Sequence, residues 1–214
     1  MITTAPSIQT DQRVVLHDVS WQTYLQLLEE VSGQHLFLTY DRGTLEIMSP
    51  SPRHAKIGKF IARMVETLTL ELRIPIVGLG NTTWKSELVA RGCEADECYY
   101  LRHAAWAAGR EEFDLRVDPP PDLVIEVDIS SSSIDKEGIY AALKVPELWR
   151  WESESIQLRQ LQPDGSYHRS QRSLSLPMLP AQVIEEFVRQ RTIADDTTRM
   201  LEFQDWIKTH LRKP

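Results

Sequence analysis

Cysteine is scarce in this chain, and several patterns that would assign a function class are missing. The 214 residues include two cysteines, Cys93 and Cys98, which are too few for a four-cysteine zinc site. Free thiols are the expected state, although a disulfide between the two stays open. The histidines are scattered and show no HExxH spacing, which argues against a zinc hydrolase of that type.

Long apolar runs are also missing. No stretch approaches the ~20 apolar residues that a membrane-spanning helix needs. Residues 1–15 lack a basic region followed by an apolar core, so we expect no signal peptide, no membrane partner and a cytoplasmic protein. The formal net charge of −7 argues against a general nucleic-acid coat, but it leaves room for an enzyme with a local basic groove.

The patterns that are present predict an α/β fold. A hydrophobic content of 42% and a charged content of 26% are those of ordinary globular proteins. Alternating helix and strand patterns predict a mixed central β-sheet flanked by helices, with added hairpins. We expect an N-terminal arm over residues 1–17 with one short strand, a domain over residues 18–190, and a C-terminal helix within 191–214 that packs on or extends the domain.

The most informative stretch follows three prolines at 119–121. One face of the predicted strand is aliphatic, and the other carries three carboxylates, those of Asp122, Glu126 and Asp128. Same-face neighbours on a strand are only ~7 Å apart, so the charges repel unless water, a cation or a basic residue intervenes. Lys136 opens the next helical run. Together these features suggest a divalent-metal site for phosphate chemistry.

Each of these residues also has an ordinary structural interpretation. Glu126 could lie on a partly exposed face or pair with Lys136, although a carboxylate within an aliphatic run is better explained as a metal ligand. Asp122 follows a proline, as in many turns, and Asp128 could support the ligands without contacting the metal. His54 begins a long predicted helix, where histidines usually have a structural role.

Two further acids lie on other predicted elements. Glu46 is in the second arm of a hairpin, where an ordinary solvent-facing position is an equally good interpretation. Asp96 opens a strand, and such residues most often serve as turn or cap residues.

The ordered set of motifs resembles the Uma2 family, which is placed in the restriction-endonuclease-like PD-(D/E)XK nuclease superfamily. The matching pieces are Gly43-x-Leu45-Glu46-Ile47-Met48-Ser49-Pro50 with His54 downstream, Glu94-Ala95-Asp96-Glu97-Cys98-Tyr99-Tyr100, Pro121-Asp122-Leu123-Val124-Ile125-Glu126-Val127-Asp128, Lys136, Tyr140, and Val145-Pro146-Glu147-Leu148-Trp149.

The resemblance implies a restriction-endonuclease-like core within residues 18–190 and metal-dependent hydrolysis of DNA phosphodiester bonds. Mg²⁺ is the implied cofactor, with Mn²⁺ as a substitute. The catalytic set carried over by the resemblance is Glu46, Asp96, Glu126 and Lys136, of which the three acids would be metal ligands. Related nucleases often dimerise to cut both strands, so a homodimer is the partner that the resemblance suggests besides DNA.

Two positions depart from the pattern. Ala95 replaces the proline expected before the motif aspartate, which affects only the backbone. Asp128 stands where the superfamily pattern has lysine, and Lys136 in the following helix is the natural replacement. The alternative prediction is a catalytically inactive protein that keeps the nuclease fold and acts as a binding or regulatory module.

Overall fold

The chain forms eleven strands and six α-helices within residues 10–130 and 132–211, the part that the computed structural model describes. The strands are β1 Gln12–Leu16, β2 Phe37–Asp41, β3 Thr44–Ser49, β4 Val77–Gly78, β5 Thr83–Ser86, β6 Arg91–Glu94, β7 Glu97–Tyr100, β8 Leu123–Asp128, β9 Glu147–Glu152, β10 Ser155–Leu161 and β11 Tyr167–Ser170. The helices are α1 Trp21–Glu30, α2 Pro52–Leu72, α3 Ala104–Ala107, α4 Lys136–Ala142, α5 Ala181–Arg189 and α6 Asp196–His210.

The strands of the described chain form two sheets. One has six strands in the order β11-β10-β9-β8-β7-β4, and its β8 and β9 run parallel while the other pairs are antiparallel. The other is an antiparallel sheet in the order β1-β3-β2-β6-β5. The predicted mixed sheet with flanking helices and added hairpins is therefore confirmed. The hairpin of β2 and β3 lies in the second sheet.

Strand β8 lies at the centre of the mixed sheet, and all six of its residues are buried. Its aliphatic face, including Ile125, packs against α2, α5 and α6. On the other face, Val124 packs with Tyr140 of α4 and Cys93 of β6. Because side chains alternate along a strand, Glu126 shares the face of Val124 and is directed toward α4 and β6.

Helix α4 connects β8 to β9. Parallel neighbours cannot be joined by a tight turn and need a crossover, which α4 supplies. This crossover returns Lys136 to the face of the sheet that carries Glu126.

Helix α2 begins at Pro52, two residues before the predicted start. The Ser51 side chain accepts a hydrogen bond from the His54 backbone N–H, and proline at the first helical position leaves no donor unsatisfied. His54 therefore lies in the first turn of the helix, where its side chain is buried.

The first and last described elements pack on different parts of the fold. The short strand predicted in the N-terminal arm is observed as β1, which pairs with β3 at the edge of the second sheet. Helix α6 packs on α2 and α5, with the rings of Phe203 and Phe187 5.2 Å apart. Residues 1–9 of the predicted arm and 212–214 of the predicted C-terminal segment lie outside the described residues. The domain boundaries stay predictions.

Two other features concern the sequence expectations. Cys93 and Cys98 are both buried free thiols. None of the described helices combines the length and the apolarity required to cross a membrane.

Candidate active site

Glu126 is fully buried at the middle of the mixed sheet, and two side chains of α4 bind it. The Lys136 ammonium donates to Oε2 of Glu126 at 2.5 Å. The Tyr140 hydroxyl donates to Oε1. Lys136 and Tyr140 are four residues apart, so they project from the same side of α4. Lys136 therefore reaches the acid that the sequence predicts as a metal ligand, and it forms the ion pair that was the alternative interpretation of Glu126.

Asp96 lies between β6 and β7 and binds the same strand. Its Oδ2 accepts a hydrogen bond from the backbone N–H of Val127 at 2.7 Å. Val127 directly follows Glu126, and the β7–β8 register pairs Glu97 with Ile125. The structure thus brings Asp96 and Glu126 from neighbouring strands into one buried region with Lys136.

His54 holds the other oxygen of Asp96. Its Nε2 lies 2.8 Å from Oδ1 of Asp96, and its Nδ1 lies 3.1 Å from Oδ2 of Asp11. The His54 side chain is 3% exposed. A protonated imidazole donates from both ring nitrogens, which is the arrangement that two flanking carboxylates require.

The charges of these groups act on one another. Burial alone would lower the pKa of His54, but hydrogen bonds to Asp11 and Asp96 raise it to about 9. Burial alone would raise the pKa of Asp96, but the hydrogen bond and charge of His54, together with the charge of Lys136, lower it. Asp96 is therefore held as a carboxylate in a buried position.

Burial has the opposite outcome at Glu126. It raises the pKa of this carboxyl, with Lys136 opposing the effect and the charges of Asp96 and Asp128 adding to it. Burial would lower the pKa of Lys136, but the surrounding carboxylates raise it. Lys136 is therefore a buried ammonium that is stabilised by the acids around it.

Glu46 is buried, and its contacts are to the N-terminal strand and to the segment after β8. The Arg13 guanidinium donates to its Oε1 at 2.5 Å, as does the Ser132 hydroxyl at 3.0 Å. The Ser133 backbone N–H donates to its Oε2 at 3.1 Å. These contacts connect β1, β3 and the segment that leads into α4.

The other two acids of the predicted cluster have different neighbours. Asp122 precedes β8 and accepts hydrogen bonds from the backbone N–H groups of Leu101 and His103 and from the His103 ring. Asp128 accepts from Arg150, its diagonal neighbour on β9, at 2.8 Å. Asp122 thus stabilises a turn. Asp128 lies on the same face of β8 as Glu126 and is paired with the Arg150 guanidinium.

Comparison with known proteins gives the chain a family. A model of the Uma2 family, described as "Putative restriction endonuclease", matches residues 21–193. This chain belongs to the Uma2 family.

A solved structure is also similar to this chain. The chain is similar to the crystal structure of a "putative nuclease belonging to DUF820" from Anabaena variabilis, with 12% identity and a TM-score of 0.46. The match covers 78% of this chain and 90% of the other. No curated protein matches the chain.

The donor set of this Uma2 site suits a hard divalent cation. No three His, Cys, Asp or Glu side chains within residues 10–130 and 132–211 are arranged to hold a metal ion together. Mg²⁺ is, however, commonly bound by only one or two carboxylates, with water and substrate phosphate as the other ligands. Asp96 and Glu126 retain free lone pairs, and Oδ1 of Asp128 is buried without a hydrogen-bond partner in the described chain. The chemistry of these carboxylates therefore suits a hard divalent cation, and Mg²⁺ itself stays a prediction.

The sequence predicts no role for Asp11, Arg13 or Tyr140. Tyr140 is among the residues that carry the resemblance, and its place one helical turn after Lys136 could have indicated that both face Glu126. Asp11 and Arg13 carry no such signal, since β1 reaches the site only through its pairing with β3.

Proposed function

We propose that this Uma2 protein is a metal-dependent endonuclease that hydrolyses DNA phosphodiester bonds. The observation that carries the proposal is the meeting of Lys136 from α4 and Glu126 on β8 with Asp96, which is bonded to the next residue of that strand. The 2.5 Å contact between Lys136 and Glu126 is by itself the ion pair of the ordinary structural interpretation, so the position of Asp96 beside it is what favours a metal site. Two acids and a lysine from three elements thus meet in one buried region.

Each of the three residues has a distinct task in this proposal. Asp96 and Glu126 would hold Mg²⁺, or Mn²⁺ in its place, with help from a backbone oxygen. The bound ion would polarise the phosphate and make water a better nucleophile. Lys136 would orient the attacking water and offset the negative charge that develops on the phosphate. The Tyr140 hydroxyl keeps Glu126 in place on the side away from the lysine.

Glu46 has a different set of contacts, and its role as a metal ligand stays a prediction. Its bonds to Ser132 and Ser133 support a role in anchoring the segment that carries Lys136 into the site. In that role, Glu46 would affect the position of the lysine without contacting the ion.

A plasmid-nicking assay with Mg²⁺ tests the assignment. We expect Glu126→Gln and Lys136→Met to lower the nicking rate by about 100-fold or more, because the first removes a carboxylate that would hold the cation and the second removes the positive charge beside the phosphate. Glu147→Gln is the matched control: Glu147 is also a buried acid of the mixed sheet, but it binds Trp149 and the backbone N–H groups of Leu174 and Ser175. Equal nicking activity of the wild type and Glu126→Gln would contradict the proposal.

One observation favours a non-catalytic binding or regulatory module as the second candidate. Both oxygens of the fully buried Glu126 already have donors, and Asp128 is paired with Arg150 where the superfamily has its lysine. Calorimetric titration with Mg²⁺ and Mn²⁺ separates the two candidates. Absence of binding by the wild type would favour the module.

A further inference from the structure

Strand β1 lies outside the residues that match the family model, yet it reaches the candidate site. The match begins at residue 21, whereas β1 spans Gln12–Leu16. Asp11, directly before β1, and Arg13, within it, have side chains that are 0% and 10% exposed. Their contacts therefore belong to the interior of this protein, and they are additional to the motifs that identify the family.

Asp11 binds both the start of α2 and the ring of His54. Its Oδ1 accepts a hydrogen bond from the Ser51 backbone N–H at 2.8 Å, and its Oδ2 faces Nδ1 of His54 at 3.1 Å. Since Ser51 caps α2, Asp11 sets the position of the helix end and the orientation of the imidazole that projects from it.

The imidazole in turn determines how Asp96 is presented. Its Nε2 binds one oxygen of Asp96, and the Val127 N–H binds the other. A carboxylate held at both oxygens by groups of fixed position cannot rotate freely. The free lone pairs of Asp96 therefore have one orientation relative to Glu126.

Arg13 ties the same strand to the opposite side of the site. It donates to Glu46, and its Nε donates to the Ser130 hydroxyl at 3.2 Å, just after β8. It also lies 3.6 Å from Oδ2 of Asp11. Asp11 thus reaches Asp96 through His54, while Arg13 ties β1 to Glu46 and to the segment after β8.

We propose that Asp11 is a positioning residue of the metal site, which acts through His54 to orient the Asp96 carboxylate. The inference rests on the proposed function, because it assumes that Asp96 is a metal ligand. Groups that orient a ligand in this way typically affect metal affinity or activity by about 10- to 100-fold. The N-terminal segment then helps to position a metal ligand of the site.

Asp11→Ala tests this inference, with Mn²⁺ as the probe. Mn²⁺ binding is measured by calorimetry on the full chain, and plasmid nicking is measured over a range of Mn²⁺ concentrations. We expect Asp11→Ala to bind Mn²⁺ about 10- to 100-fold more weakly and to need correspondingly more Mn²⁺ for half-maximal nicking. The maximal rate at saturating Mn²⁺ should change less, since the catalytic groups are unaltered.

Asp11→Asn and Asp122→Ala make the result specific. Asparagine keeps the volume of Asp11 and an oxygen for the Ser51 N–H, so we expect its Mn²⁺ affinity to lie between those of the alanine variant and the wild type. Asp122 is a matched control because it too is a buried aspartate that binds a histidine ring and backbone N–H groups. We expect Asp122→Ala to bind Mn²⁺ as the wild type does.

The outcomes separate this inference from the proposed function. Wild-type affinity in Asp11→Ala, or an equal loss in Asp11→Ala and Asp122→Ala, overturns the positioning role and leaves the nuclease proposal standing. If Asp11→Ala does not fold, unchanged Mn²⁺ affinity in Asp11→Asn overturns it in the same way. A wild type that neither binds Mn²⁺ nor nicks DNA overturns both.

Discussion

At the residue scale, the positive charge beside Glu126 comes from a different position in the sequence than in the superfamily pattern. Asp128 occupies the motif position where the superfamily has lysine, and Arg150 neutralises it. The ammonium comes instead from Lys136 in the next helix, and it contacts the motif acid Glu126. Lys136 thus supplies the cation that a buried carboxylate needs within hydrogen-bond reach, and its role as the replacement for the motif lysine stays a prediction.

A pH experiment tests the environment of Asp11. Burial alone would raise the pKa of this carboxyl, but hydrogen bonds from His54 and Ser51 lower it to about 2 from an ordinary 3.8. A lowered pKa stabilises the folded state above pH ~4, and that contribution is lost as the pH falls through about 2. We expect Asp11→Asn to cost about 2 kcal/mol of unfolding free energy at pH 6 and clearly less at pH 2.5. Urea unfolding at both pH values measures the difference, and a cost independent of pH would contradict the assignment.

At the element scale, α4 is the element that completes the site. It joins the parallel strands β8 and β9, and it presents Lys136 and Tyr140 to Glu126. Its C-terminus has the Schellman pattern, with Lys144 N–H bonded to Ala141 O and Val145 N–H bonded to Tyr140 O. This end brings Lys144 into the left-handed region, with φ of 62°.

Lys144→Gly tests that strain. Glycine adopts positive φ without the steric cost paid by other residues, which is about 1 kcal/mol. We expect the substitution to raise the unfolding free energy by about 0.5–1 kcal/mol, measured by urea unfolding. Lys144→Ala removes the same side chain but keeps a Cβ, so it should show no such gain. Equal effects of glycine and alanine would mean that the backbone at this position is not strained.

At the scale of the whole molecule, one hydrophobic core joins the central strand β8 to the C-terminal helix α6. The face of β8 opposite Glu126 belongs to a core that extends to α6, where Phe203 is fully buried. The predicted C-terminal segment thus contributes to the same core as the central strand. The homodimer and the cytoplasmic location stay predictions, because each concerns surroundings of the chain.

Phe203→Ala tests whether α6 unfolds together with the rest of the molecule. We expect a loss of about 3–5 kcal/mol, because the substitution leaves a cavity in the shared core. Far-UV circular dichroism and tryptophan fluorescence should report one coincident transition, with fluorescence measured in a Trp206→Phe background because Trp206 lies on α6 and stacks on Phe203. Leu201→Ala on the same helix is the control, since Leu201 is 56% exposed and should change stability by less than about 0.5 kcal/mol. A loss confined to the circular-dichroism signal would show that α6 unfolds separately.

The sequence by itself determined the elements and the identity of the central residues. Period-2 alternation predicted β8, helical spacing predicted α2, and a charged residue within an aliphatic strand marked Glu126. Strand alternation and helical spacing can be predicted from a sequence because they depend on residues that are close together in the chain. The motifs likewise indicated Lys136 as the replacement lysine.

Only the tertiary structure decided which side chains meet. It bound Asp122 to the turn that contains Leu101, paired Asp128 with Arg150, and brought Asp11 and Arg13 from the N-terminal segment to His54 and Glu46. These contacts join residues between 21 and 43 positions apart along the chain. They depend on strand order and register, which arise from the packing of the whole chain and leave no mark in any short segment.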